Sequence, residues 1–154
     1  MYQQAKDFIK DVEGLRLSAY LDTAGFPTIG WGHRVASLSV PAITKQQAED
    51  YLTADVTKFA AQVSKQVPNA KNLNDEQMSA LISLIYNIGS FPVGSGLLNK
   101  LTANIDDPTI CDKIKEYDNQ RNPKTHVLEY SQGLHNRRVK EADLYLFGIK
   151  KKRK

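Results

Sequence analysis

The stretch from Glu13 to His33, EGLRLSAYLDTAGFPTIGWGH, does most to restrict how this chain folds. Upstream of it Phe8, Ile9 and Val12 recur at helical spacing, and Gly14 stands where a helix needs a residue of free φ in order to stop. Glu13 is therefore expected at a helix C-terminus. The negative end of a helix dipole disfavours a carboxylate, so this position favours a carboxyl that keeps its proton, as a general acid must. Beyond Gly14, Leu17, Ala19 and Leu21 alternate with Ser18, Tyr20 and Asp22, the period of a strand with one buried face. Asp22-Thr23-Ala24-Gly25 supplies turn chemistry, and Thr28 to His33 is a second β-prone run with two glycines. A hairpin that follows a helix end so closely lets Asp22 and Thr28 face Glu13.

Two carboxylates in unlike surroundings are what glycoside hydrolysis uses: one protonates the leaving oxygen, the other activates water or attacks the sugar carbon. Taken singly, Glu13 also reads as a solvated helix-end residue and Asp22 as a turn former. The pattern E-x8-D-x5-T, set in E-G-x-x-x-x-A-Y-x-D-x-x-G-x-x-T-I-G-x-G-H, resembles the catalytic signature of the phage-type lysozymes (endolysins), muramidases of glycoside hydrolase family twenty-four. Glu13, Gly14, Ala19, Tyr20, Asp22, Gly25, Thr28, Ile29, Gly30, Gly32 and His33 carry the match. The resemblance implies Glu13 as general acid, with Asp22 and Thr28 positioning and activating the water. It also implies an inverting outcome, for which the carboxyl groups should lie roughly 6.5 to 9.5 Å apart. The implied reaction is hydrolysis of the β-1,4 bond between N-acetylmuramic acid and N-acetylglucosamine in peptidoglycan, leading to lysis of a bacterial host.

Thr44 and Gln47 form a capping box for a helix whose apolar positions run from Ala48 to Val63 and stop before Pro68. Asn74 and Gln77 repeat the device for Asp75 to Ile88, which is apolar nearly all round and is the expected central buried helix. Its end, Tyr86-Asn87-Ile88-Gly89, also resembles the family, where an aromatic residue and an amide face the sugar cleft. Packing in the core for Tyr86 and capping for Asn87 is the equal alternative. Ser95, before Leu97 and Leu98, matches a family serine near substrate and equally suits an N-cap. Arg34, Tyr86, Asn87 and Ser95 are the expected substrate-binding residues. His33 reads as a general base or as a structural hydrogen-bonding partner, and the resemblance favours the second.

Between these elements, Arg34 to Val40 fits a third short strand or a loop, and residues 89 to 96 a loop. Asp107-Pro108 should open a helix through Tyr117, where the family often has tryptophan, and Asp118 to Lys124 should be a loop. The segment from Asn119 to Gln132 departs from the family, which leaves its cleft contacts open. The last helix, from Gly133 to Leu146, carries G-L-x-x-R-R-x-x-E-x-x-L, another family resemblance. Gly148 should close it, and Arg137 or Arg138 with Glu141 should form a surface ion pair worth a few tenths of a kcal/mol.

Charge narrows the partners. The chain has 21 basic and 17 acidic residues, and Lys150 to Lys154 are all basic. Without those five the body holds 16 basic residues against 17 acidic, which argues against a dedicated nucleic-acid interface. The tail itself reads as a solvated, disordered end. Cys111 is the single cysteine, so no internal disulfide can form, and its context reads as core. The histidines are too scattered for a metal site, and neither metal nor cofactor is expected. No apolar run approaches the roughly 18 residues that cross a bilayer, and no secretory segment is visible at the start. The expected setting is the cytoplasm of a bacterial host before lysis and the wall afterwards, with a separate protein opening the membrane.

The expected architecture is α+β and lysozyme-like, a monomer of one domain. A β-hairpin lobe spans 14–43, a linking helix 44–67, a helical lobe 69–148 with 1–13, and a basic tail 149–154. Three rivals stand beside the muramidase reading: a lytic transglycosylase, a non-catalytic wall-binding module, and a nucleic-acid binder acting through the tail. The presence of both Asp22 and Thr28 disfavours the first two.

Overall fold

A computed structural model describes all residues from 1 to 154. Helix α1 (Gln3–Glu13) leads into β1 (Arg16–Leu21), β2 (Pro27–Gly30) and β3 (His33–Arg34). Helix α2 (Lys45–Gln66) follows, then a 3₁₀ turn at Ala70–Asn72 and α3 (Asp75–Ile88). Next come α4 (Gly96–Ala103), α5 (Ile110–Lys115), a second hairpin of β4 (Asn119–Arg121) and β5 (Leu128–Tyr130), and the long α6 (Gln132–Lys152). The arrangement is the α+β, lysozyme-like one, with a small antiparallel sheet beside a larger set of helices.

Both capping boxes form as their residues dictate. Thr44 Oγ1 accepts from the Gln47 amide at 3.1 Å while the Gln47 side chain accepts from the Thr44 amide at 2.8 Å. Asn74 and Gln77 do the same at the start of α3. Helix α3 then presents apolar side chains all round, and Leu81, Ile82, Leu84 and Ile85 are fully buried between α1, α2 and α6. Each such side chain contributes about 1.5–3 kcal/mol relative to exposure. Cys111 joins this core, its thiol against the Ala142 carbonyl at 3.3 Å.

The sheet departs from the expected alternation. Leu17 and Leu21 are 39% and 54% exposed, and a register irregularity lies between Arg16 and Tyr20. No layer covers the outer edge strand, whereas β2 sits in the middle and packs on α2, burying Thr28, Ile29 and Gly30. Strand β2 also ends at Gly30, and His33 belongs with Arg34 in the short β3.

Four further expectations are corrected. The segment after Asp118 is a second hairpin rather than a loop, paired from Asn119↔Tyr130 to Arg121↔Leu128 and turned at His126, which has φ 61°. The helix expected from Asp107 starts at Ile110, because the Asp107 carboxylate folds back on the Thr109 amide at 2.9 Å and its hydroxyl at 2.6 Å. Gly148 does not end the last helix. A Cβ there would lie 2.7 Å from Asn74 Oδ1, and the Gly148 carbonyl accepts from Asn74 Nδ2 at 2.8 Å. The glycine thus permits close approach to the start of α3. Helix α6 continues through the basic run, where Lys151 Nζ reaches Glu76 Oε1 at 2.6 Å and Lys152 Nζ reaches Asp106 Oδ1 at 2.8 Å. The tail is helical and docked because two of its lysines find carboxylates on the body.

The Asp107 turn carries a pH signature. The Thr109 hydroxyl, then the Thr109 amide, hold its carboxyl below the ordinary value of 3.8. A depressed folded-state value means stability that is present above the unfolded value and lost as pH falls through the folded one. Asp107→Asn should therefore flatten the acid limb of stability against pH below about pH 4, as measured by denaturant unfolding at stepped pH.

Candidate active site

Helix α1 stops at Glu13 because Gly14 adopts φ 71° and returns its amide to the Lys10 carbonyl at 3.1 Å. The chain then enters β1, turns, and comes back through β2. Pairing of Tyr20 with Thr28 and Leu21 with Pro27 brings Asp22 and Thr28 to the same end of the hairpin. Asp22 Oδ1 accepts from the amides of Ala24 at 2.9 Å and Phe26 at 2.8 Å, which fixes the carboxylate within its own turn. Its Oδ2 has no protein partner. Thr28 is buried, and its hydroxyl donates to the Phe26 carbonyl at 2.8 Å, leaving the oxygen lone pairs free to accept.

Glu13, Asp22 and Thr28 line one groove of about 550 Å³ between the sheet and the helices, together with Arg34, Tyr86 and Asn87. Six of the seven candidate residues therefore converge. Ser95 does not; it caps α4, accepting from the Leu98 amide at 3.2 Å, and lies outside the groove lining. Tyr86 donates from its hydroxyl to the Trp31 carbonyl at 2.5 Å, and burial, followed by the Asp55 and Glu13 charges, keeps the phenol protonated. Asn87 Oδ1 accepts from Arg138 at 2.9 Å. Tyr20, also on the groove, has its phenol pushed up by burial and then by the Glu13 charge. His33 is a structural partner in this geometry, with Nδ1 2.7 Å from Asp55 Oδ2 and its ring stacked on Tyr51 at 4.1 Å.

Gly32 is the residue that makes room for the Glu13 carboxyl. It has φ 87°, and a Cβ there would overlap Glu13 Oε2, lie 2.9 Å from Glu13 Cδ and 3.3 Å from Tyr86 Cε1. Gly32→Ala should thus displace the carboxyl while straining the turn, and a misplacement near 1 Å costs on the order of a hundredfold in rate. Initial rates on cell-wall substrate will check this; a rate within threefold of the native protein would remove Gly32 from the argument.

The residue that sequence reasoning missed is Arg137. One of its Nη atoms contacts Glu13 Oε1, and the other donates to the Ser83 carbonyl at 3.0 Å. Its Nε reaches Glu141 Oε2 at 3.3 Å. Glu141 is fully buried and also accepts from Ser83 Oγ at 2.6 Å and Arg138 Nη2 at 3.1 Å. Arg138 Nε lies 2.5 Å from Glu141 Oε1 without hydrogen-bond alignment, so that contact is Coulombic only. Burial pushes the Arg138 guanidinium below its ordinary value, with Glu141 opposing. The expected surface ion pair is therefore an interior network joined to the candidate acid. A signal was present, since Arg138 and Glu141 continue the stripe of Ala142, Tyr145 and Ile149.

The second hairpin completes one wall. Asn119 and Gln120 line the groove, Thr23 Oγ1 donates to Gln120 Oε1 at 2.9 Å, and Pro123 packs against Gly25. The segment that departs from the family pattern is thus the one that reaches the Asp22 turn.

Fold and groove together define a lysozyme-like protein. A profile described as phage lysozyme matches residues 10–141, and the chain belongs to that family. An endolysin of Lactococcus phage c2 is 34% identical over 146 residues, which cover 93% of this chain and 58% of that protein. An endolysin of Acyrthosiphon pisum secondary endosymbiont phage 1 is 39% identical over 100 residues, covering 64% and 66% respectively. The chain thus spans less than two thirds of the length of these relatives. Among solved structures, the endolysin from Escherichia coli O157:H7 phage FAHEc1 superposes with a TM-score of 0.78 at 34% identity, covering 94% of this chain and 91% of that one.

Proposed function

We propose that this protein is an endolysin-type muramidase that hydrolyses the β-1,4 bond between N-acetylmuramic acid and N-acetylglucosamine in bacterial peptidoglycan, with inversion at the anomeric carbon. The observation that carries the reading is the convergence of a helix-end carboxyl and a turn-held carboxylate with its threonine on one groove. Family membership and the relatives called endolysins support it.

Glu13 gives its proton to the glycosidic oxygen as the bond to the sugar C1 breaks. Arg137 braces one carboxyl oxygen, so the acid is held in a single orientation. Asp22 takes a proton from water through its unpartnered Oδ2, and the water oxygen bonds to C1 from the opposite face. Thr28 accepts the second water hydrogen at Oγ1, which its donation to the Phe26 carbonyl leaves open. Arg34, Tyr86 and Asn87 contact the glycan.

The chain works as one domain, with residues 14–43 on one side of the glycan and 69–148 with 1–13 on the other. It acts as a monomer on the wall, reached from the host cytoplasm once a separate protein has opened the membrane. No helix is long and apolar enough to cross a membrane by itself. The deciding experiment is product analysis on purified peptidoglycan. Reducing ends with an inverted anomeric proton signal support the reading; a 1,6-anhydro sugar would make the protein a transglycosylase, and no released ends would make it a binding module.

A further inference from the structure

The groove does not end at the three candidate residues. A recess of about 400 Å³ continues from it, sharing Gly32, Arg34, Tyr86 and Asn87, and is bounded on its far side by Asp55, Lys58, Phe59 and Gln62 of α2. Its charges are unbalanced. Asp55 is the only carboxylate in the lining, and His33 already holds it at 2.7 Å. Arg34 and Lys58 have no carboxylate within 4.0 Å. Aromatic rings place both cations instead: the Arg34 guanidinium lies 3.8 Å over the Phe26 centroid and Lys58 Nζ 5.3 Å over Phe59. Phe59 is in turn fixed edge-on to Tyr86 at 5.7 Å.

Two cations at a recess whose single carboxylate is bonded to His33 and pairs with neither of them, one of the two also lining the candidate active-site groove, describe a site for an anionic part of the ligand. A neutral sugar ring needs no such pair. Building on the muramidase reading, we infer that this recess takes a carboxylate carried by the muramyl unit, with Lys58 as a residue that selects for it. Two sources share that chemistry: the carboxylates of the peptide stem, and the lactyl carboxylate of a muramyl residue whose stem has been removed.

The test uses the full chain and three forms of one glycan: stem-bearing, amidase-stripped with free lactyl carboxylates, and stripped with the lactyl groups capped as methyl amides. Lys58 is exposed on α2, so Lys58→Ala and Lys58→Glu leave the core untouched. In Lys58→Ala, the ratio of kcat/KM on a carboxylate-bearing glycan to that on the capped one should fall roughly three- to tenfold, the scale of an ion pair that is partly exposed. Lys58→Glu should lower it further and Lys58→Arg restore it. A fall confined to the stem-bearing form assigns the recess to the peptide, a fall confined to the stripped form assigns it to the lactyl group, and a fall on both shows that it accepts either carboxylate. Ratios unchanged in all variants overturn the inference while leaving the muramidase reading intact. If the native protein releases no reducing ends from any form, that earlier reading fails instead.

Discussion

Glu13→Gln should lower the rate of reducing-end release by about 10²- to 10⁴-fold, the range that a positioned general acid supplies. The amide keeps the size of the side chain and can still accept from Arg137, but it has no proton to give at neutral pH. The groove, the Gly32 approach and the Asp22 turn all stay in place. Circular dichroism and an unfolding midpoint near that of the native protein will show that the fold is intact. The rate itself is read on purified peptidoglycan, and a variant that turns over at the native rate would exclude Glu13 from proton transfer.

The second large effect concerns stability. Glu141→Ala leaves Arg137 and Arg138 buried beside each other with no carboxylate between them. Removing one partner of a buried ionic group typically costs about 3–5 kcal/mol. At roughly 2–4 °C per kcal/mol for a chain of this size, the thermal midpoint should drop by about 6–20 °C. Exchanging Arg138 and Glu141 together for methionine and leucine should cost less, because Arg137, which keeps its contact with Glu13, is then the one buried charge that has lost a partner. If the single and double variants unfold at the same temperature, the network contributes packing and not charge compensation. The single variant should also lose activity, since Arg137 holds Glu13 through one end and Glu141 through the other.

These residues show where sequence reasoning reaches and where it stops. Thr44 with Gln47, Asn74 with Gln77, and Glu13 with Gly14 are local arrangements, decided within a single turn of chain. The groups that form them are neighbours in sequence, and each element forms as its residues dictate. Asp22 and Thr28 are nearly as local, because the hairpin joins them. Arg137 and Glu13 are 124 residues apart, so nothing near either one announces the other. Burial along β1 is out of local reach for a related cause: the alternation of Leu17, Ala19 and Leu21 is real, but whether a layer covers that face depends on elements elsewhere. The hairpin of β4 and β5 has no core-facing side: β4 is polar, and Leu128 and Tyr130 of β5 are each more than half exposed. Glycine near a helix end most often stops the helix, whereas the value of Gly148 lies in lacking a Cβ against Asn74.

The contact between Arg137 and Glu13 has a consequence for when the groove becomes whole. During synthesis the ribosome delivers Glu13 124 residues before Arg137, so a nascent chain carries that carboxyl long before anything holds it. Truncation or premature release upstream of α6 removes the brace outright. Only a polypeptide translated through α6 has an assembled centre.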